Sequence, residues 1–224
     1  MIQLERIQRD FLVGGQTVHA LADVDLSVGD GEYLSIMGPS GSGKSTLLNL
    51  IGLLDRPSAG VYRLDGRDVT GLSDEEQARV RRDKIGFVFQ FFHLIPRLTA
   101  AANIELPLLL AGFPVAERKA RVARLVEDYG LQARADHRPD QLSGGQRQLV
   151  AIARATVMEP ALILADEPTG NLDRATGQEV MAILEGLAAR GVTLILVTHD
   201  PVIGERAARR LHMVDGRIVS DRRA

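Results

Sequence analysis

The sequence predicts an α/β protein: a parallel sheet covered on both faces, opened by an antiparallel hairpin and interrupted by an inserted helical lobe. Short apolar runs rich in β-branched residues, Leu and Phe supply the strands. A glycine-rich loop joins one of these runs to a helix, and from Gln90 to Ala161 the apolar spacing turns helical. At 224 residues, with 45% hydrophobic and 25% charged residues, the chain has the size and composition of one large globular domain. Its 27 basic and 29 acidic residues leave a net charge of −2, so no nucleic-acid partner is expected. Cysteine is absent, which excludes disulfides, thiolate metal sites and a cysteine nucleophile.

Taken in order, Ile2 to Gln8 and Val18 to Val28 read as strands around the Val13-Gly14-Gly15-Gln16 turn. Tyr33 to Met37 is a short apolar run leading into GPSGSGKST, and Thr46 to Leu54 has the Leu and Ile spacing of a helix. Ile85 to Phe89, Leu162 to Ala165 and Thr193 to Thr198 are further buried-strand candidates, each followed by polar residues. Asn103 to Ala111, Val115 to Tyr129 and Gly144 to Met158 read as helices, broken at Gly112-Phe113-Pro114 and Arg138-Pro139. The expected organisation is a single domain, 1–224, with a core of 1–90 and 158–224 and a helical lobe at about 91–157. The most apolar stretch, Ile104 to Val115, is interrupted by Glu105, Pro107, Gly112 and Pro114 and cannot span a membrane. Glu5, Arg6, Arg9 and Asp10 stand where a signal peptide needs its apolar core, so no export is expected.

Five segments carry chemistry. Gly38 to Ser45 fits G-x-x-x-x-G-K-[ST], in which glycines let successive N–H groups wrap a phosphate chain at a helix N-terminus; Lys44 then reaches the β/γ-phosphates and Ser45 a Mg²⁺ ion. The run Leu162 to Ala165 delivers Asp166 and Glu167 to a strand end, Asp166 placed for the Mg²⁺ hydration shell and Glu167 to polarise water aimed at the γ-phosphate. Strands ending at Gln90 and His199 put an amide, suited to Mg²⁺ or the attacking water, and an imidazole on the same edge. Ser143, an N-cap, and Gly144-Gly145-Gln146 open a helix and make a second anion-binding surface. One chain cannot easily bring both surfaces to one triphosphate, so a head-to-tail homodimer enclosing ATP is expected. His19, His93, His137 and His212 form no ligand spacing and are read as surface residues.

In this order, GPSGSGKST, Gln90, LSGGQ, LILADE, Asn171-Leu172-Asp173 and His199 resemble the nucleotide-binding domain of ABC transporters over nearly the whole chain. The stretches IGFVFQFFHLIPRLTAAANIELPLLLAG and ADEPTGNLD look like its MacB/LolD group, which includes macrolide exporters, lipoprotein-release systems and the cell-division protein FtsE. The resemblance implies a P-loop NTPase core, an antiparallel β subdomain and a helical lobe carrying LSGGQ. Position by position it implies that Phe11 stacks on adenine and that Gly38, Pro39, Ser40, Gly41, Ser42, Gly43, Lys44, Ser45 and Thr46 form the Walker A loop. Likewise Gln90 matches the Q-loop glutamine, Leu142 to Gln146 the signature, Asp166 the Walker B aspartate, Glu167 the catalytic glutamate, Asp173 the D-loop and His199 the switch histidine. Two positions depart from the family: Phe11 stands where Tyr is usual, keeping the stacking face and losing a hydroxyl, and Leu149 where Arg is usual.

The implied function is an ATPase that uses ATP and Mg²⁺, dimerises when ATP is bound, sits in the cytoplasm against the inner face of the membrane and drives a separate integral membrane permease. Phe91 to Thr99, rich in aromatic and apolar residues, reads either as lobe core or as the groove that receives a permease helix. An FtsE-like ATPase that signals to division machinery without transport is the alternative. A soluble ABC ATPase of DNA repair or translation would need coiled-coil insertions or fused units that this length does not hold, and a kinase would leave LSGGQ and His199 without a role.

Overall fold

A computed structural model describes residues 1–223. Its strands form two sheets. In the four-stranded sheet, of order β2-β1-β4-β5, β1 (Ile2–Val13), β2 (Gln16–Val28), β4 (Ala59–Leu64) and β5 (Arg67–Asp68) are antiparallel throughout. The opening hairpin forms as expected, but its strands run past Gln8 and before Val18 to meet at Val13↔Gln16, with register shifts between Leu4 and Asp10. Those irregularities break the apolar alternation from which strand length is read.

The six-stranded sheet has the order β10-β9-β3-β8-β7-β6. Its strands β3 (Tyr33–Met37), β6 (Ile85–Phe89), β7 (Leu162–Asp166), β8 (Thr193–Val197) and β9 (Arg209–Val214) are parallel, and β10 (Arg217–Arg223) closes one edge antiparallel to β9. Every residue of β8 is buried, as are Leu162 to Ala165 of β7, so these strands read as unbroken apolar runs. Among the helices that cover the sheet are α1 (Lys44–Ile51), burying Leu47, Leu48, Leu50 and Ile51, and α6 (Arg174–Ala189), burying Val180, Met181, Leu184 and Leu187. Each fully buried Leu or Ile contributes about 1.5–3 kcal/mol.

Between β6 and β7 come α3 (Ala100–Leu110), α4 (Val115–Asp128) and α5 (Gly144–Thr156), which enclose an apolar cluster of their own around Ile104, Leu108, Val126, Leu131 and Val150. Leu149 packs partly buried against this cluster. Gly86 of β6 lets α5 approach the sheet: a Cβ there would lie 2.4 Å from the Ala155 carbonyl oxygen. Two further α-helices among the described residues are α2 (Asp74–Lys84) and the short α7 (Pro201–Gly204). No helix among the described residues is long and apolar enough to cross a membrane.

Candidate nucleotide site

Strand register assembles the site. Phe89 pairs with Asp166, and both Asp166 and Ile36 pair with Val197, so the positions just beyond them line one edge of the parallel sheet: Gln90, Glu167, Thr198 and the Met37-Gly38 turn. That carboxyl edge is where open α/β sheets bind ligands.

The loop from β3 into α1 requires glycine. Gly38 has φ +149° and Gly43 +95°, and a Cβ would come within 2.1 Å of the Met213 carbonyl oxygen at Gly38 and 2.4 Å of that of Ala20 at Gly43. Helix α1 starts without a side-chain cap, so its first N–H groups remain open for an anion. Lys44 Nζ lies across the loop, donating to Gly38 O at 2.9 Å and Pro39 O at 2.7 Å and reaching Ser42 Oγ at 3.4 Å. Pro39, Ser40 and Gly41 form the exposed crest, Ser42 is buried beneath it, and Thr46 is half-buried on α1.

Ser45 Oγ donates to Asp166 Oδ1 at 3.4 Å. Burial pushes the Asp166 carboxyl above its ordinary range; the Ser45 hydrogen bond opposes this, the Glu167 charge reinforces it and Lys44 opposes it. A hydroxyl and a carboxylate short of positive charge are donors that fit a hard cation such as Mg²⁺. Glu167 is 17% exposed at its side chain, with Oε1 2.7 Å from His199 Nδ1, and Thr198 Oγ1 donates to Oε2 at 3.4 Å. His199 itself is 73% exposed. Glu167 adopts φ +48° immediately before Pro168, a left-handed conformation that costs about 1–3 kcal/mol in a non-glycine residue. Its N–H donates to Val197 O at 3.0 Å and its carbonyl accepts from Gly170 N–H at 3.0 Å.

Gln90 Nε2 donates to Asn171 Oδ1 at 3.3 Å, and Asn171 Nδ2 donates to Gln90 O at 2.9 Å. Among the described residues its amide is hydrogen-bonded to this segment and not to Ser45 or Asp166. Asp173 caps α6, accepting from Ala175 N, Thr176 N and, at 2.6 Å, Thr176 Oγ1, which holds its carboxyl below the usual range. Ser143 and Gln146 form a reciprocal capping box at the start of α5. Gly144 and Gly145 abut α6 and the segment before it: a Cβ on Gly145 would lie 2.4 Å from Thr176 Cγ2. No hydrogen bond among the described residues joins this cap to the Gly38–Thr46 loop. Phe11, 37% exposed on β1, carries the Arg9 guanidinium 4.3 Å from its ring centroid, while Arg9 is anchored to Asp55 at 2.7 Å.

The segment after Gln90 divides between the two sequence readings. Phe92 and Leu94 pack inward, whereas Phe91 is 68% and Ile95 39% exposed. His19, His93 and His212 are exposed and His137 is half-buried. Two polar residues beside the site escape sequence reasoning: Thr198, which shares Glu167 with His199, and Gln148, fully buried on α5 with its amide on Pro168 O. A polar side chain in the apolar stripe of a helix is the one signal that marks Gln148.

The family model described as ABC transporter matches residues 21–170. The macrolide export ATP-binding/permease protein MacB 1/2 of Paracoccus denitrificans is 51% identical over 223 residues; they cover 100% of this chain but 33% of that protein, so the chain spans about a third of such a relative. The uncharacterized ABC transporter ATP-binding protein YknY of Bacillus subtilis is 51% identical over 219 residues, covering 98% of this chain and 95% of that protein. Among solved structures, a dimeric ATP-binding cassette in a post-hydrolysis state bound to ADP and Pi superposes with a TM-score of 0.93 at 43% identity, covering 100% of this chain and 98% of the other.

Proposed function

The chain belongs to the ABC transporter family, and we propose that it hydrolyses ATP to ADP and phosphate as the motor of a MacB/LolD-type system whose membrane permease is a partner. The observation that carries this reading is the row of Gln90, Asp166, Glu167 and His199 along one sheet edge beside the Gly38–Ser45 loop. In it, the loop amides and Lys44 hold the triphosphate, and Phe11 offers its ring to adenine. Ser45 and Asp166, with Gln90 after release from Asn171, would hold Mg²⁺, which when bound neutralises charge on the phosphate oxygens. Glu167 orients a water for attack on the γ-phosphorus and takes up its proton as the bond to the ADP oxygen breaks, while His199 and Thr198 fix the carboxylate.

The absence, among the described residues, of any hydrogen bond between the Ser143–Gln146 cap and the loop of its own chain supports a homodimer in which each cap, flanked by Asp173, closes over the partner copy's ATP. The independent apolar cluster of α3 to α5 supports a helical lobe at about 91–157 standing apart from a core of 1–90 and 158–224. Permease docking is assigned to the groove between them, about 600 Å³, whose lining includes Leu54, Phe87, Phe89, Leu106, Pro107 and Leu110, together with exposed Phe91 and Ile95. Docking there would hold the protein against the inner face of the membrane through that partner.

Purifying the Glu167→Gln chain with ATP from gently solubilised membranes and identifying what accompanies it by mass spectrometry tests the assignment. A stoichiometric polytopic protein is the expected result. Division proteins in its place would favour the FtsE-like signalling role, and a homodimer alone would count against a membrane partner.

A further inference from the structure

Gln148 is 0% exposed on α5, the helix that opens with the Ser143–Gln146 cap. Its Nε2 donates to Pro168 O at 2.7 Å, and since that carbonyl can only accept, the amide has one possible orientation. Its Oε1 is then buried with no partner among the described residues. A buried acceptor left unmet works against the folded state, and an apolar side chain of similar length would remove it. Packing therefore does not explain a glutamine here; the contact with Pro168 does.

That contact falls on the strained step of the site. Glu167 is left-handed before a proline, and the core restrains it through Val197 O and Gly170 N–H. The restraint on the next carbonyl comes instead from the helical lobe. The same helix sends Arg154 to the carbonyls of Phe92 and His93, at 2.9 and 2.7 Å, both residues of positive φ just past Gln90. Helix α5 thus holds the backbone beside both Glu167 and Gln90, while no hydrogen bond among the described residues joins its N-terminal cap to the Gly38–Thr46 loop of the same chain.

We infer that Gln148 is a positioning residue coupling the two nucleotide sites of the dimer: engagement of the Ser143–Gln146 cap with the partner copy's ATP is passed along α5 to the Glu167 carboxylate of the same chain. The inference rests on the ATPase and head-to-tail dimer proposed above. Gln148 touches neither nucleotide; it sets the backbone from which the water-orienting carboxylate projects.

Gln148→Met and Gln148→Leu in the full chain test it, through melting temperature, ATP KM, kcat and the Hill coefficient for ATP. Both variants are expected to melt with the wild type and to keep ATP KM within about twofold, while kcat falls roughly 10- to 100-fold, as for a misplaced reacting group. The Hill coefficient is expected to drop from near its two-site limit of about 2 to about 1. With Glu167→Gln added, they should still dimerise on ATP. Unchanged kcat and Hill coefficient in folded variants would overturn the inference, and so would a kcat loss that tracks a loss of melting temperature in both. A wild type that hydrolyses ATP without cooperativity overturns the coupling and leaves the ATPase standing; a wild type with no ATP hydrolysis overturns the parent reading.

Discussion

At the scale of single residues the site separates binding from chemistry. In the proposed reading Lys44 exchanges its contacts with Gly38 O and Pro39 O for phosphate oxygens, and charge-assisted hydrogen bonds contribute about 1.5–3 kcal/mol each, so Lys44→Ala should weaken ATP binding roughly 10- to 100-fold in a titration. Glu167→Gln should leave that affinity unchanged and lower kcat by about 10²–10⁴; wild-type turnover in this variant would remove Glu167 from its role. Asp166 carries a pH signature. Its carboxyl is raised by burial, so the folded protein binds that proton more tightly than the unfolded chain. The cost of ionising it is absent below the ordinary carboxylate range, grows as pH rises through the folded value and is fully present at neutral pH. Nucleotide-free Asp166→Asn should therefore melt above wild type at neutral pH, with the gap closing below about pH 4. A lower melting temperature at pH 7 would show the carboxylate already compensated.

At the scale of elements, legibility follows the origin of each signal. The strands before Gly38, Gln90, Glu167 and His199 are apolar runs fixed by burial, and they stand in the sequence within a residue of where they fold. Helix α2 has no such signal, because DEEQARVRRDK buries only Gln77 and is set by the Ser73–Glu76 capping box. The β9–β10 hairpin turns at Asp215-Gly216, both of positive φ, a dipeptide signal that apolar periodicity passes over. Close packing is just as invisible in one dimension. Gly86→Ala drives a Cβ into the Ala155 carbonyl of α5, a backbone atom that cannot step aside. It should cost at least about 1–3 kcal/mol in urea denaturation, and an unchanged midpoint would mean that α5 stands off the sheet more than its contacts indicate.

For the whole molecule, the site residues lie far apart in sequence, and the sheet order β3-β8-β7-β6 converts that spread into one edge. The phosphate loop and the carboxylate pair are legible because glycine spacing and strand ends are local. Gln148 on Pro168 and Gln90 on Asn171 are not, because they join residues 20 and 81 positions apart in sequence, which local patterns do not bring together. No hydrogen bond among the described residues joins the Ser143–Gln146 cap to the Gly38–Thr46 loop of its own chain, and the proposed dimer sets it over the nucleotide of a second copy. The mass of the Glu167→Gln protein in solution, with and without ATP and Mg²⁺, tests this most directly: the composite site predicts a doubling of mass on adding nucleotide, and a monomer at saturating ATP would contradict it.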